Sequence, residues 1–553
     1  MHLLRTTAGR AGAGALALGL VLSACAPGED DDGQAADTGT DQETVTDDAG
    51  DPAHGGTIAV GVEAEAGGWS PWDDSWSTPV WVVARSFYDT LMERDEDGVP
   101  TPNLAASVEP NDDHTEVTIV LREGIEFHDD EPLDAEAVAA NFEQMRQEGT
   151  RTAAQLGPVE EVVVEDELTL RLELDEPNVA FIDVLVHAPG VMVSPASIEA
   201  ETVSTEPVGT GPFVFESWQR DSQLEVSRNE DYWREDLPYL DGITFRPLPD
   251  EDSRTQSLLA GDIDAMQTLN AATIEQMTDR SEEFNLYLAS GNSATSVILN
   301  NDEPPFDDHR IREAFAYAVD RDESIAVSGG PDLVPPAHGL FNPDSPWYVD
   351  EIADAWPSQD LDRAQQALDD YSQDPDRSDG QEAGAPVSFQ FDTPPDPTLL
   401  ELASVIQAQV GQVGLEMSIN GVEQAVHIQE AVAGEYQAKA WRMGDEEDPD
   451  WMVSGFSPGA SGNFTNFENE QFLDHLLEAR RTPDEDDRRE LYHEAQLILA
   501  EEIPFVTTGH TVNLIAATPE LFGFDDWQLP DGEPGIGHPE SMARWHSVWL
   551  DRE

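Results

Sequence analysis

Leu121-Arg-Glu-Gly-Ile-Glu-Phe-His128-Asp-Asp-Glu-Pro-Leu-Asp134-Ala-Glu-Ala-Val138 is a strand exit, a tight turn and a helix start in eighteen residues. The preceding residues, Thr115 to Leu121, alternate apolar and polar with β-branched side chains, the period-2 signature of a half-buried strand. Asp134 stands where an N-cap is needed. Its carboxylate can accept a free backbone N–H of the first helical turn, and the run to Phe142 continues at helical spacing.

Outward from this stretch the same grammar repeats. Gly55-Gly-Thr-Ile-Ala-Val60 reads as a first strand and Val80 to Met92 as a helix. Val162 to Leu174 reads as two short strands around Glu165-Asp-Glu167. Val208-Gly-Thr-Gly-Pro-Phe-Val-Phe215 is a glycine-bearing turn entering a strand, with Gln223 to Arg228 as its partner. Ile311 to Arg321, Asp362 to Leu368, Thr398 to Val413 and Asn469 to Arg481 are amphipathic helices. Ala294 to Asn300 and Glu501 to Val506 read as strands. Helices and strands mix without an internal repeat, so the class is α/β.

The amino-terminal end has a separate logic. Arg5 and Arg10 precede an apolar run, Ala11 to Leu22, of about twelve residues, short of the roughly twenty that cross a bilayer. Leu22-Ser-Ala-Cys25 ends it with the chain's one cysteine and resembles the lipobox of bacterial lipoproteins. Residues 1–24 are therefore expected to be a signal peptide, with Cys25 as the lipidation site. Residues 25–54 are expected to form an acidic flexible tether, because they hold almost no large apolar side chain to bury.

The 553-residue chain carries 114 acidic residues against 27 basic ones, a net charge of −87. Such a surface repels nucleic acid and bare anionic lipid and repels itself unless salt screens it. A salt-adapted surface is the expectation. The length implies two or three domains.

Nine blocks in order identify a family. They are Ser86 to Leu91, Pro102 to Ser107, Leu121 to Val138, Gly209-Thr-Gly-Pro-Phe213, Arg228 to Trp233, Pro238 to Asp241, Gly261 to Asp264, Pro305 to Arg312 and Ala316 to Arg321. In this order and spacing they resemble the family 5 extracellular solute-binding proteins of ABC importers, the dipeptide-, oligopeptide- and nickel-binding group. One departure is Asp130, where the family usually has glycine after Phe-His-Asp. The resemblance implies a two-lobed periplasmic-binding-protein-like fold of the class II type, with an inserted subdomain in the first lobe and a hinge between the lobes. Residues 55–75, 190–293 and 506–553 would form lobe I, residues 76–189 its inserted subdomain, and residues 294–505 lobe II.

The resemblance also implies an interlobe ligand site. Trp441-Arg-Met-Gly-Asp445-Glu-Glu-Asp448-Pro-Asp450 is similar to the family segment in which an Asp holds the amino group of a peptide, and by position that Asp is Asp445. In so acidic a run, Asp445 is either that ligand anchor or one more solvated carboxylate. Trp441 is a candidate aromatic wall. Trp69, Trp72 and Trp76 lie within eight residues and either wall the opposite lobe or form a structural cluster under their loop. The expected partners are a peptide or other small solute, permease subunits with a cytoplasmic ATPase, and the outer face of the cell membrane through Cys25. The chain is expected to be monomeric and to bind no nucleic acid. No metal, cofactor or catalytic residue is expected: His128 stands alone, and no His-Glu-x-x-His or other paired metal-ligand spacing is present. A relative binding a nickel chelate, an oligosaccharide or another solute, and a secreted hydrolase, are the alternatives.

Overall fold

The computed structural model describes residues 50–551 apart from residues 75, 148, 332, 344, 445–447, 461 and 539–541, and without the side chains of residues 290–292 and 425. The signal sequence, Cys25, most of the tether and Asp445 fall outside the described residues.

A ten-stranded sheet runs through the molecule, in the order Leu415–Gly421, Val387–Thr393, Ala438–Met443, Asn285–Leu299, Phe505–Ala517, Ala265–Thr268, Thr57–Val62, Gly242–Pro247, Gln223–Arg228 and Phe213–Gln219. Two strands hold its halves together. Asn285–Leu299 and Phe505–Ala517 are 15 and 13 residues long and pair antiparallel, with register shifts between Ser290 and Ala294 and again between Ala294 and Ser296. Before the break their neighbour is Ala265–Thr268, which pairs with the Ala517 end. Beyond it, Ala438–Met443 pairs with residues 294–299.

A separate four-stranded sheet, Ala105–Pro110, Glu116–Leu121, Thr169–Leu174 and Val159–Val164, packs with helix Ala135–Met145. Its two central strands, Glu116–Leu121 and Thr169–Leu174, bury every second residue, as the alternation requires. Its core residues Val117, Ile119, Leu170 and Leu172 belong to one continuous cluster with Ile58, Val60 and Ile243 of the large sheet. A second cluster lies under helices His309–Ala318, Leu361–Ser372 and Pro397–Val413, and a third under Glu470–Ala479 and Glu485–Glu502.

The acidic composition is used inside the fold. Seven helices are N-capped by an Asp carboxylate that accepts a first-turn N–H: Asp134, Asp250, Asp308, Asp320, Asp360, Asp396 and Asp484. Each cap satisfies an orphan donor and sets negative charge at the positive end of the helix dipole.

The quoted stretch folds as its residues dictate. Asp134 Oδ1 accepts from Ala137 N at 2.9 Å, and Asp130 has φ 65°. Three of the sequence blocks converge here. The His128 backbone N–H donates to Gly209 O, and its Nε2 donates to Gly211 O, both at 2.9 Å. Gly209 and Gly211 lie so close to Phe87 and Tyr88 that a Cβ would sit 2.2 Å from Phe87 O at Gly209 and 2.4 Å from Phe87 C at Gly211. These glycines serve close packing of two backbones.

Two elements differ from the sequence reading. The helix read as Val80 to Met92 is Thr78–Ala84, and Met92 begins the short strand Met92–Arg94. The carbonyls of Ser86 and Phe87 accept from Phe213 N at 2.8 Å and Gly211 N at 3.1 Å, so tertiary pairing withdraws them from the helix. Glu501 and Glu502, read as strand, end helix Glu485–Glu502, which stops at Ile503 in the left-handed region.

Candidate functional site

The sheet's crossing point holds hydrogen-bonding groups that the protein itself leaves unused. His510 pairs with Ala294 alone between the two register shifts. Its ring is buried, and neither nitrogen has a partner. Three residues on, Asn513 is fully buried with both amide atoms unpaired. Gln267, opposite Ile515 on the adjacent strand, buries an unpaired Oε1. Each such group costs about 1–3 kcal/mol when it is left without a partner. Burial, helped by nearby His338, pushes the His510 pKa down to about 4, so it is neutral at neutral pH. Asn513 and Gln267 share one face of the sheet, whereas His510, three residues before Asn513 on a regularly alternating stretch, faces the other, so a polar solute can meet the two amides or the neutral imidazole on one face but not both. The sequence reading missed all three. The available signal was Thr507-Thr-Gly-His-Thr-Val-Asn513, a polar run inside a strand buried at nearly every position.

Trp441 lies across the sheet on Ala438–Met443, half-buried between His427 at 5.8 Å and Phe464 at 4.8 Å, measured between ring centroids. His427 Nε2 is 2.9 Å from Ala440 O, which can only accept, so Nε2 carries the proton and the unpartnered Nδ1 is an acceptor. Lys439 is the chain's one lysine and is fully buried. It donates to His427 O at 2.8 Å and to Glu430 Oε2 at 2.9 Å, clamping helix Gln424–Ala433 onto the strand beside Trp441.

Of the acidic run after Trp441, two carboxylates are committed within the fold. Asp448 takes Arg488 in a bidentate pair at 2.6 and 2.7 Å, and Asp450 takes Arg480 at 2.7 and 2.9 Å. Asp445 lies outside the described residues. The three loop tryptophans are together but apart from Trp441. Trp69 and Trp72 are buried members of the first core cluster. Trp69 packs at 5.2 Å against both Phe87 and Trp218, and half-buried Trp76 against Trp81 at 4.8 Å. The Nε1 atoms of Trp69 and Trp76 have no partner. Trp441 packs on the third cluster instead.

Beyond the two crossing strands, Asn270 Nδ2 donates to Thr398 Oγ1 at 3.1 Å, and Val179 N donates to Arg480 O at 2.9 Å. Among the described residues there is no group of three His, Cys, Asp or Glu side chains that could hold a metal ion. No described helix is long and apolar enough to cross a membrane.

Comparison with known proteins gives one consistent picture. Residues 99–464 match the model of the bacterial extracellular solute-binding proteins, family 5 Middle. The glutathione-binding protein GsiB of Salmonella paratyphi A is 27% identical over 475 residues, which cover 81% of this chain and 88% of that protein. Among solved structures, AgaA from A. tumefaciens R10 in complex with agropinic acid superposes with a TM-score of 0.79 at 24% identity, over 90% of this chain and 99% of AgaA. DppA from Helicobacter pylori in complex with the peptide STSA gives 0.77 at 22% identity, over 90% of this chain and 99% of DppA. At these identities the likeness establishes the fold, the two-lobed α/β architecture of periplasmic binding proteins.

Proposed function

The chain belongs to the family 5 bacterial extracellular solute-binding proteins, and on that premise we propose that it captures di- or oligopeptides between its two lobes, tethered outside the membrane through Cys25. Proteins of this family are solute-binding components of ABC importers and not enzymes, so the working cycle is capture, closure and delivery to a permease. We take residues 294–505 as the second lobe and the strands crossing at Ala294 and His510 as the hinge.

The observation that carries the peptide reading is the commitment of Asp448 and Asp450 to Arg488 and Arg480. The run after Trp441 is thereby divided: two of its five acids serve the fold, and of the other three we take Asp445, the one matching the family segment, for the amine of a ligand. A carboxylate beside an aromatic wall, screened from water, favours a primary ammonium because each charge compensates the other's desolvation. The acceptor His427 Nδ1 beside Trp441, the unpaired amide of Asn513 and the unpaired Oε1 of Gln267 suit the N–H and C=O groups of a peptide backbone. The glutathione-binding name of one relative and the peptide complex of DppA agree with this choice. The net charge of −87 suits a surface that works in concentrated salt.

The test is native mass spectrometry of the mature chain, made without Cys25 in high salt, followed by denaturing release. A ladder of co-purified peptides is the expected result, and a single non-peptide mass overturns it. Asp445→Asn should then weaken peptide binding while sparing N-acetylated peptides, and equal loss of both removes Asp445 from the amine site.

A further inference from the structure

The segment between strand Thr169–Leu174 and helix Phe181–Val184 reaches from the inserted subdomain to the end of helix Glu470–Ala479 in the other half. Two bonds join them: Val179 N–H to Arg480 O at 2.9 Å, and the ion pair of Glu176 with Arg481. The contact is made against an electrostatic cost. Across the same seam Asp183 opposes the ionisation of Asp448, and the whole chain is strongly anionic. Each of these two acids is neutralised within its own half, Asp183 by Arg94 at 2.8 Å and Asp448 by Arg488. At this seam that leaves a carbonyl, an amide and one ion pair to favour contact, in addition to the crossing strands and the Asn270–Thr398 bond elsewhere.

Arg480 belongs to both systems. Its guanidinium, 13% exposed, grips both oxygens of Asp450, five residues after Asp445, while its own carbonyl accepts the Val179 amide. Burial alone would lower the Arg480 pKa, but the Asp450 carboxylate outweighs it and keeps the group firmly charged. The backbone carbonyl of Asp450 in turn accepts Val453 N–H at 2.9 Å, so the residue that Arg480 grips also opens helix Trp451–Phe456.

We propose that Arg480 couples the 448–453 segment to closure: through one residue, ordering of that segment and docking of the 176–179 segment stabilise each other. This rests on the reading of the ligand site as adjoining the 448–453 segment. It makes Arg480 a positioning residue, acting on a bound solute only through Asp450.

Hydrogen–deuterium exchange tests the coupling on the whole mature chain, whatever solute it carries, so a wrong peptide assignment would show in the mass spectrum and not here. Asp450→Asn removes the charge that Arg480 grips and alters no group bonded to residues 176–179. Exchange of the Val179 amide should rise about tenfold, while the core strand Gly242–Pro247 stays protected. Coupling is reciprocal, so Glu176→Gln should speed exchange at Met452 and Val453. Arg480→Gln should loosen both segments at once. Faster exchange at 452–453 with an unchanged Val179 amide in Asp450→Asn, or the converse in Glu176→Gln, overturns the proposal. If Asp450→Asn unfolds, the Glu176→Gln result alone decides.

Discussion

Asp89 receives the indole N–H of Trp233 at 2.9 Å on one carboxylate oxygen and the hydroxyl of Tyr232 at 3.3 Å on the other, across more than 140 residues of chain. Two of the sequence blocks that mark the family are thus one buried cluster. Burial pushes the Asp89 pKa up to about 6, more than the Trp233 hydrogen bond pulls it down. The folded protein therefore holds a proton at Asp89 between its ordinary 3.8 and about 6, where the unfolded chain has released it. Stability from this group is complete below that window and is lost as pH rises through it. Asp89→Asn, always neutral, should gain on the parent protein by roughly 3 kcal/mol between pH 4 and pH 7 in urea unfolding. Parallel pH curves for the two proteins would refute the assignment.

His128 acts with the opposite sign. Its burial against Gly211 lowers its pKa to about 4, with only partial recovery from the Gly211 carbonyl and Asp129. The unfolded chain takes up a proton below about 6.5 that the folded one refuses, so this stability is present above that pH and lost as pH falls towards 4. His128→Gln should lower stability at pH 7 through lost packing and flatten the decline between pH 6.5 and 4.5 by about 2 kcal/mol, discounted because the side chain is partly open to solvent.

Gly211 and Gly124 separate two uses of glycine. A Cβ on Gly211 meets Phe87 C at 2.4 Å and Tyr88 N at 2.7 Å, while Gly124 has φ 82° and open space. Gly124→Ala should cost about 1–2 kcal/mol for left-handed strain. Gly211→Ala must push two backbones apart and should cost more than about 4 kcal/mol or abolish soluble expression. Similar melting temperatures for the two variants would show that the seam gives way easily.

What the sequence made legible follows from the range of the interactions. Asp134 caps its helix through a bond to the amide three residues away, and such a local signal is read directly from the chain. The helix beyond Ala84 was misread because Phe213 N and Gly211 N claim its next carbonyls from more than 120 residues away, a competition no local pattern displays. At the candidate site, Trp441 announced itself by residue type and by its place in a family segment. His510, Asn513 and Gln267 did not, because a polar residue becomes notable only once it is known to be buried and unbonded. The structural use of Asp448 and Asp450 was equally hidden, since Arg488 and Arg480 come from helices thirty or more residues later.

Salt dependence follows from the charge. Raising ionic strength from 0.1 M to 1 M shortens the screening length from about 10 Å to about 3 Å, which relieves long-range repulsion among exposed carboxylates. Bidentate pairs such as Arg488 with Asp448, mostly shielded from solvent, are little affected. The melting temperature should rise by at least about 5 °C across that range, with an equal response to KCl and NaCl. A fall would mean that surface ion pairs such as Arg489 with Glu485 outweigh the repulsion.

Asn513 distinguishes a residue kept for the fold from one kept for a solute. Both ends of its amide are buried without a partner, so in the ligand-free protein the side chain costs free energy without returning a hydrogen bond. Leucine has similar bulk and no polar group to leave unmet. Asn513→Leu should therefore be neutral or stabilise by up to about 2 kcal/mol in urea unfolding, while losing most of the solute retained by the parent protein. A purely structural amide would give the reverse, a loss of about 2 kcal/mol or more with retained solute unchanged. Because stability and retention move in opposite directions under the binding interpretation and only stability moves under the structural one, measuring both on the same preparation decides between them.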